Sequence, residues 1–181
     1  MKNLVLNRYL VLLIVALAAA FFAGMYFSSS CNSCAETVDA HVSPGAAATI
    51  IHMLQSANES IELEMYEFTY KPLMDELAAA QARGVNVRVI LEPRLSGDYN
   101  VNAAKYLEVR GVPVRWASLS FSLTHSKLLI VDDKRAFVGS PNWSYSALFR
   151  NRETAVLIEG GKAVSDLDAV FEEDWITASP T

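Results

Sequence analysis

Cysteine is nearly absent: two residues in 181, Cys31 and Cys34. Two are too few for a disulfide-built scaffold. They cannot complete a four-ligand zinc site alone either, because no histidine lies at ligand spacing from them. The chain also lacks any excess of positive charge. Fifteen Lys and Arg face twenty Asp and Glu, a net charge of −5, which gives no support to wholesale nucleic-acid binding. Charged residues make up only 19% of the chain and hydrophobic ones 52%, so it is not a disordered polymer. Its length suits one compact domain with one core.

What charge there is has a pattern. Residues 83–152 hold eleven Lys and Arg against five acids, whereas residues 36–82 hold one Lys against eight acids and residues 153–181 one Lys against seven. An anionic substrate is expected to meet the middle of the chain. At the N-terminus, Leu10 to Phe27 is an uncharged run of 18 residues with Tyr9 and Tyr26 at its ends, long enough for a tilted or thinned-bilayer span. Lys2 and Arg8 precede it and no Lys or Arg follows until Lys71. This bias keeps the N-terminus in the cytoplasm and exports the rest. Residues 1–27 therefore read as a signal anchor, with a cleaved signal peptide as the competitor. Either way the folded part works outside the cytoplasm, membrane-anchored or, after cleavage, secreted or periplasmic. In such a place Cys31 and Cys34, a C-x-x-C, are expected to form a local disulfide, with a four-Cys metal site shared between two chains as the alternative, and no chemistry is assigned to them.

Residues 28–43, Ser-rich and polar, read as a linker, and residues 44–181 as the folded domain. Ser43 before Pro44 suits a helix N-terminus. Ile61, Leu63 and Met65 alternate with Glu62, Glu64 and Tyr66 as in a strand. Pro72 to Arg83 is a helix stopped by Gly84, Val85 to Leu91 a β-branched strand, residues 100–110 a helix closed by Gly111, and Val112 to Trp116 a short strand. This alternation predicts an α/β fold, a sheet covered by helices on both faces.

The informative stretch begins at Thr124, THSKLLIVDDKRAFVGSPNWS. It reads as a hairpin, with His125 and Lys127 on one side of the first strand. A two-residue turn at Asp133 and Lys134 places Lys127 opposite Ser140 and His125 opposite Asn142; another turn type slips this register. An imidazole, an ammonium, a hydroxyl and an amide then converge at the open end, a set of donors the size of a phosphate. Asp132 sits roughly 23 Å from His125 along an extended strand. Its expected place is the turn, capping backbone N–H groups or pairing with Arg135 or Lys134. His41 and His52 have no H-x-K context and read as structural or surface residues.

These residues resemble the H-x-K-x(4)-D motif of the phospholipase D superfamily, here His125, Lys127 and Asp132. The resemblance extends through Gly139, Ser140, Pro141, Asn142 and Trp143 to Asn151, Arg152 and Glu153 and on to Phe171–Trp175. It spans about residues 44–181 and is similar to the small single-motif members, of the bacterial endonuclease and mitochondrial phospholipase D-like types. It implies a phospholipase D-like mixed sheet and a hydrolase that cleaves phosphodiesters through a phosphohistidine, with no metal or other cofactor. It implies His125 as nucleophile, Lys127 and Asn142 as phosphate clamps, Ser140 as an added donor and Glu153 as the group orienting an imidazole. Asp132 it leaves structural. The mechanism uses two histidines and the chain has one H-x-K, so a symmetric homodimer is expected to supply the second. For the substrate, the basic middle favours a nuclease acting on DNA or RNA. The apolar leader and overall acidity favour the alternative, a phospholipase D acting on membrane lipid. A catalytically silent anion-binding module is a third reading, opposed by the intact set of site residues.

Overall fold

A computed structural model describes residues 36–181. The anchor or signal reading of residues 1–27 and the pairing of Cys31 with Cys34 lie outside the described residues. Among the described residues no helix is long and apolar enough to cross a membrane.

Eight strands form one sheet: β1 (Thr37–Val42), β2 (Ser60–Met65), β3 (Asn86–Leu91), β4 (Val114–Trp116), β5 (Lys127–Val131), β6 (Arg135–Gly139), β7 (Thr154–Glu159) and β8 (Ser179–Pro180), in the spatial order β1-β7-β6-β5-β2-β3-β4-β8. β2, β3 and β4 are parallel and every other pairing is antiparallel. The parallel strands need crossovers, which α2 (Lys71–Ala82) and α3 (Tyr99–Glu108) provide. With α1 (Ala46–Ser56) they cover one face, burying Ile50, Leu54, Leu73, Leu77 and Leu107 against Ile61, Leu63, Val87, Val89, Leu129 and Val131. The long C-terminal helix α5 (Gly161–Thr177) covers the other, packing Val164 and Phe171 on Ile90, Leu128, Ile130 and Ala136. The mixed sheet with helices on both faces is the expected class.

Several local expectations are corrected. Residues 37–42, read as linker, are edge strand β1, paired residue for residue with β7. Hence the folded domain begins before residue 44, and His41 lies on that strand, its Nδ1 3.1 Å from Thr49 Oγ1 and its ring tilted on Phe137. Ser43 does not cap the first helix. The Ser43–Pro44 peptide is cis, the helix starts at Ala46, and the buried Ser43 N–H donates to the Glu153 carbonyl. The hairpin turn holds three residues between paired Val131 and Arg135, not two. Asp132 and Asp133 both take positive φ, 56° and 52°, and the Lys134 N–H donates to the Val131 carbonyl. The register therefore runs one residue from the expected one, with Leu128 facing Val138. Gly139 has no alternative at its position: a Cβ there would lie 2.4 Å from the Thr154 carbonyl oxygen, since β7 passes against it.

Asp132 staples this turn to the loop before β2. Its carboxylate accepts from the backbone N–H groups of Asn58, Glu59 and Ser60 at 2.7–3.2 Å. Burial works against the charge, but these N–H donors outweigh it and hold the carboxyl below its usual range. A depressed folded value stabilises the domain above the ordinary carboxylate pKa, and this contribution is lost as pH falls through the lowered one. Asp132→Asn should cost about 1–3 kcal/mol, read as a lower Tm at pH 7 with activity retained in the folded fraction.

The face under α5 carries buried charge. Arg88 joins Glu62 at 3.2 Å and Glu172 at 2.5 Å, while Glu64 has no cation partner among the described residues and faces Asp174. Burial, reinforced by Asp174, pushes Glu64 up to about 8. A raised folded value favours the fold while the carboxyl is neutral, and that advantage is lost as pH rises from about 4.5 through about 8. Glu64→Gln, neutral at every pH, should raise Tm at pH 8.5 by about 3 °C or more and leave it nearly unchanged at pH 5.

Candidate active site

The carboxyl ends of β2 and β3 and the amino end of β5 meet at one edge of the sheet, the usual place for a site in such folds. The backbone there is fixed by Asn100, buried at the start of α3. Its Oδ1 accepts from the Phe68 N–H, and its Nδ2 donates to the carbonyls of Tyr66 and Glu92. One side chain thus ties together the segments leaving β2 and β3. Residues 67–70 then pair with the segment after β6. The Trp143 N–H donates to the Glu67 carbonyl, and the Thr69 and Tyr70 N–H groups donate to the Trp143 carbonyl. Trp143 is buried edge-on against Phe68, ring centroids 5.0 Å apart. This anchor presents its neighbour Asn142 beside Glu67, with Asn142 Nδ2 3.3 Å from Glu67 Oε2. Asn142 Oδ1 is buried without a partner.

His125 lies just before β5, exposed, with its ring 4.4 Å from that of Tyr66. Lys127 is buried; its ammonium donates to the His125 carbonyl at 2.6 Å, lies 3.0 Å from His125 Nδ1 and sits over the Tyr66 ring. Burial lowers the Lys127 pKa, opposed by the charges of Glu153 and Glu67. An ammonium held among these groups in a partly dry pocket is suited to a phosphate oxygen.

Ser140 and Glu153 form a second group. The Ser140 hydroxyl donates to Glu153 Oε2 and accepts from the Thr154 N–H, and Asn151 Nδ2 donates to Glu153 Oε1. Among the described residues no hydrogen bond links Glu153 to His125. The expectation that Glu153 orients the imidazole is not met within one chain. Lys127 stands opposite Gly139 rather than Ser140, as the slipped register requires. Asp132 is at the far end of the hairpin, bound to backbone.

Five contributors were not singled out from sequence. Tyr66 and Glu67 could have been found as the first residues past a parallel strand. Asn100, and the buried Glu92 with its Arg94 partner, carry no such signal. Arg94 and the Thr124 N–H hold the Glu92 carboxylate, and Arg94 reaches the carbonyls of Ser118 and Phe121. Together they stake both ends of the loop leading to His125. From Asn142 a polar depression of about 390 Å³ opens outward, lined by Glu67, Thr69, Tyr99, Tyr145 and Asn151 among others.

Residues 50–175 match the family described as cardiolipin synthase, PLD-like domain. The chain is 29% identical over 143 residues to a phospholipase D of Rickettsia prowazekii, covering 76% of this chain and 64% of that protein. It is 30% identical over 142 residues to the mitochondrial cardiolipin hydrolase of Mus musculus, covering 77% and 62%. It thus spans just under two thirds of the length of these curated relatives. Among solved structures it is similar to a phospholipase D family member, Nuc from Salmonella typhimurium, at 29% identity and a TM-score of 0.75, over 81% of this chain and 98% of that one. With the match running through both the His125 hairpin and the Asn142 segment that its sheet edge brings together, the chain belongs to the phospholipase D superfamily, whose members among its relatives are hydrolases of phosphodiester bonds.

Proposed function

We propose that the protein is a metal-independent phosphodiesterase that cleaves nucleic acid through a phosphohistidine at a site shared by two copies of the chain. The observation behind the two-copy site is the environment of His125. Lys127 Nζ lies 3.0 Å from Nδ1 and, as an ammonium, can only donate to it, which puts the proton of a neutral ring on Nε2; a ring that protonates a leaving oxygen must instead be the imidazolium, with N–H on both nitrogens. Attack on phosphorus needs the other tautomer, with Nδ1–H given to an acceptor. Among the described residues no carboxylate of the same chain reaches that nitrogen. A two-fold axis beside His125 brings a second imidazole and a second Glu153 to the phosphate, so that one ring attacks and the other serves as acid. In this arrangement Nε2 of one neutral His125 bonds to phosphorus as the bond to the leaving oxygen breaks, and the other His125, present as the imidazolium, gives that oxygen its proton and is left neutral. Water, deprotonated by the same second ring, then releases the phosphate monoester. Lys127 and Asn142 hold the non-bridging oxygens while charge develops on them, and Ser140, whose hydroxyl proton goes to Glu153, positions that carboxylate.

Nucleic acid is favoured by the segment between α4 (Tyr145–Phe149) and β7. Arg150 and Arg152 are exposed there and form no ion pair among the described residues, as contacts to neighbouring phosphates require. One observation favours a phospholipid instead. Leu119, Phe121 and Leu123, alternating with serines just before His125, are 74%, 57% and 45% exposed. The test is hydrolysis of single-stranded oligonucleotides and of cardiolipin vesicles side by side. Cleavage of the oligonucleotide with intact lipid supports the reading, and the reverse assigns the site to lipid.

Activity should persist in excess EDTA. The two carboxylates at the site are each engaged, Glu67 by Asn142 and Glu153 by Ser140 and Asn151. Among the described residues one group of three acids is close enough to share a cation, Glu62, Asp133 and Asp168, and it lies by the hairpin turn at the other edge. Loss of activity in EDTA and its return with Mg²⁺ would overturn the metal-independent reading.

A further inference from the structure

Resting on the nuclease reading, we infer that the depression beside Asn142 is a nucleobase subsite, with Tyr145 as its stacking wall, that takes an unstacked base next to the scissile phosphate. Three observations lead there. First, the depression is continuous with the site: Asn142 and Glu67 line it, and Glu67 follows Tyr66, whose ring packs on His125. Whatever fills it is attached to, or adjacent to, the bound phosphate. Its volume of about 390 Å³ falls in the range of ligand pockets, roughly 300–1,000 Å³.

Second, its walls are aromatic and its floor is polar. Tyr99 and Tyr145 line it and are 57% and 53% exposed, a large outlay of ring surface to water that no core contact requires. Thr69, Ser144, Ser146 and Asn151 offer hydrogen-bonding groups between them. An acyl chain would have to lie against the Glu67 carboxylate and these polar groups, which disfavours it. A flat ring with polar edges suits both wall and floor.

Third, Tyr145 is held as a platform. Its ring lies 5.1 Å from that of Phe149 and 6.4 Å from that of Tyr70, and the Arg150 guanidinium sits 5.1 Å over it. A cation on an aromatic cluster at the edge of a phosphate site is the combination that holds a base and its backbone together. A base can reach such a wall only when it has left the helical stack, so the subsite selects single strands over duplex.

The experiment uses the full chain in detergent and two substrates of equal length: a single-stranded oligonucleotide, and an oligomer with the same sugar–phosphate backbone but abasic throughout. The wild type should prefer the base-bearing strand by about tenfold or more in kcat/KM. In Tyr145→Ala this ratio should fall to near one, and in Tyr145→Trp it should be kept. Single abasic positions moved along the strand should reproduce the loss at one position next to the cleaved phosphate, a reading that needs no protein variant and stands if Tyr145→Ala fails to fold. Cleavage of both substrates with no preference, or a preference that survives Tyr145→Ala, overturns the subsite and leaves the nuclease reading intact. Cleavage of neither substrate together with hydrolysis of cardiolipin vesicles overturns both.

Discussion

His125→Ala is expected to lower phosphodiester hydrolysis by roughly 10⁴-fold or more, since the nucleophile and its acid partner are lost together from a composite site. The fold should not change. His125 is exposed, precedes β5 rather than lying within it, and its main packing contact is the Tyr66 ring, so the variant's Tm should stay close to that of the wild type. This separates it from Asp132→Asn, which should unfold earlier yet keep the chemistry. An Asp132→Asn protein as stable as the wild type and as inactive as His125→Ala would contradict the structural role its three backbone N–H contacts assign to Asp132.

Mixing wild-type and His125→Ala chains should have the second large effect. If the two are co-expressed in equal amounts and pair at random, only pairs of two wild-type chains hold both imidazoles, and activity should fall to about one quarter. Independent sites would keep about one half. The same logic predicts that His125→Ala and Glu153→Gln do not restore each other, because each shared site uses one imidazole as nucleophile and the other as acid. A result near one half, with a monomeric mass in detergent, would remove the two-copy site and require another group as the acid.

Most of the sheet was legible because its strands are short apolar runs bounded by Gly, Pro and Asp, and its crossover helices are stopped by Gly84 and Gly111. β1 was not. Its sequence, TVDAHV, is exposed at five of six positions, and an edge strand with so little burial has no apolar pattern to read. The alternation of Glu62 and Glu64 with Ile61, Leu63 and Met65 marks a strand, but it does not reveal that α5 covers the glutamate side as well. The hairpin register missed by one residue because positive φ at both Asp132 and Asp133 depends on the capping of Asp132 by a distant loop, which local turn preference does not contain.

The site was legible in its reacting groups and not in their support. His125, Lys127, Ser140, Asn142 and Glu153 stand out by type and spacing, and the sheet brings their segments to one edge. What fixes them there is long-range: Asn100 between two strand ends, Glu92 and Arg94 under the loop at 118–124, Trp143 against Phe68. Such residues carry no motif, since any chain segment with the right partner across the fold would serve.

A covalent bond between His125 and phosphorus is the central step of the proposed reaction. A single-stranded oligonucleotide labelled with radioactive phosphorus at every linkage, mixed with excess enzyme and quenched in alkaline detergent within one turnover, should leave label on the protein. That label should resist alkali, be released by acid, map to the peptide bearing His125, and be absent from His125→Ala. Full cleavage of the strand by the wild type with no label on the protein, or label that persists in His125→Ala, would contradict it.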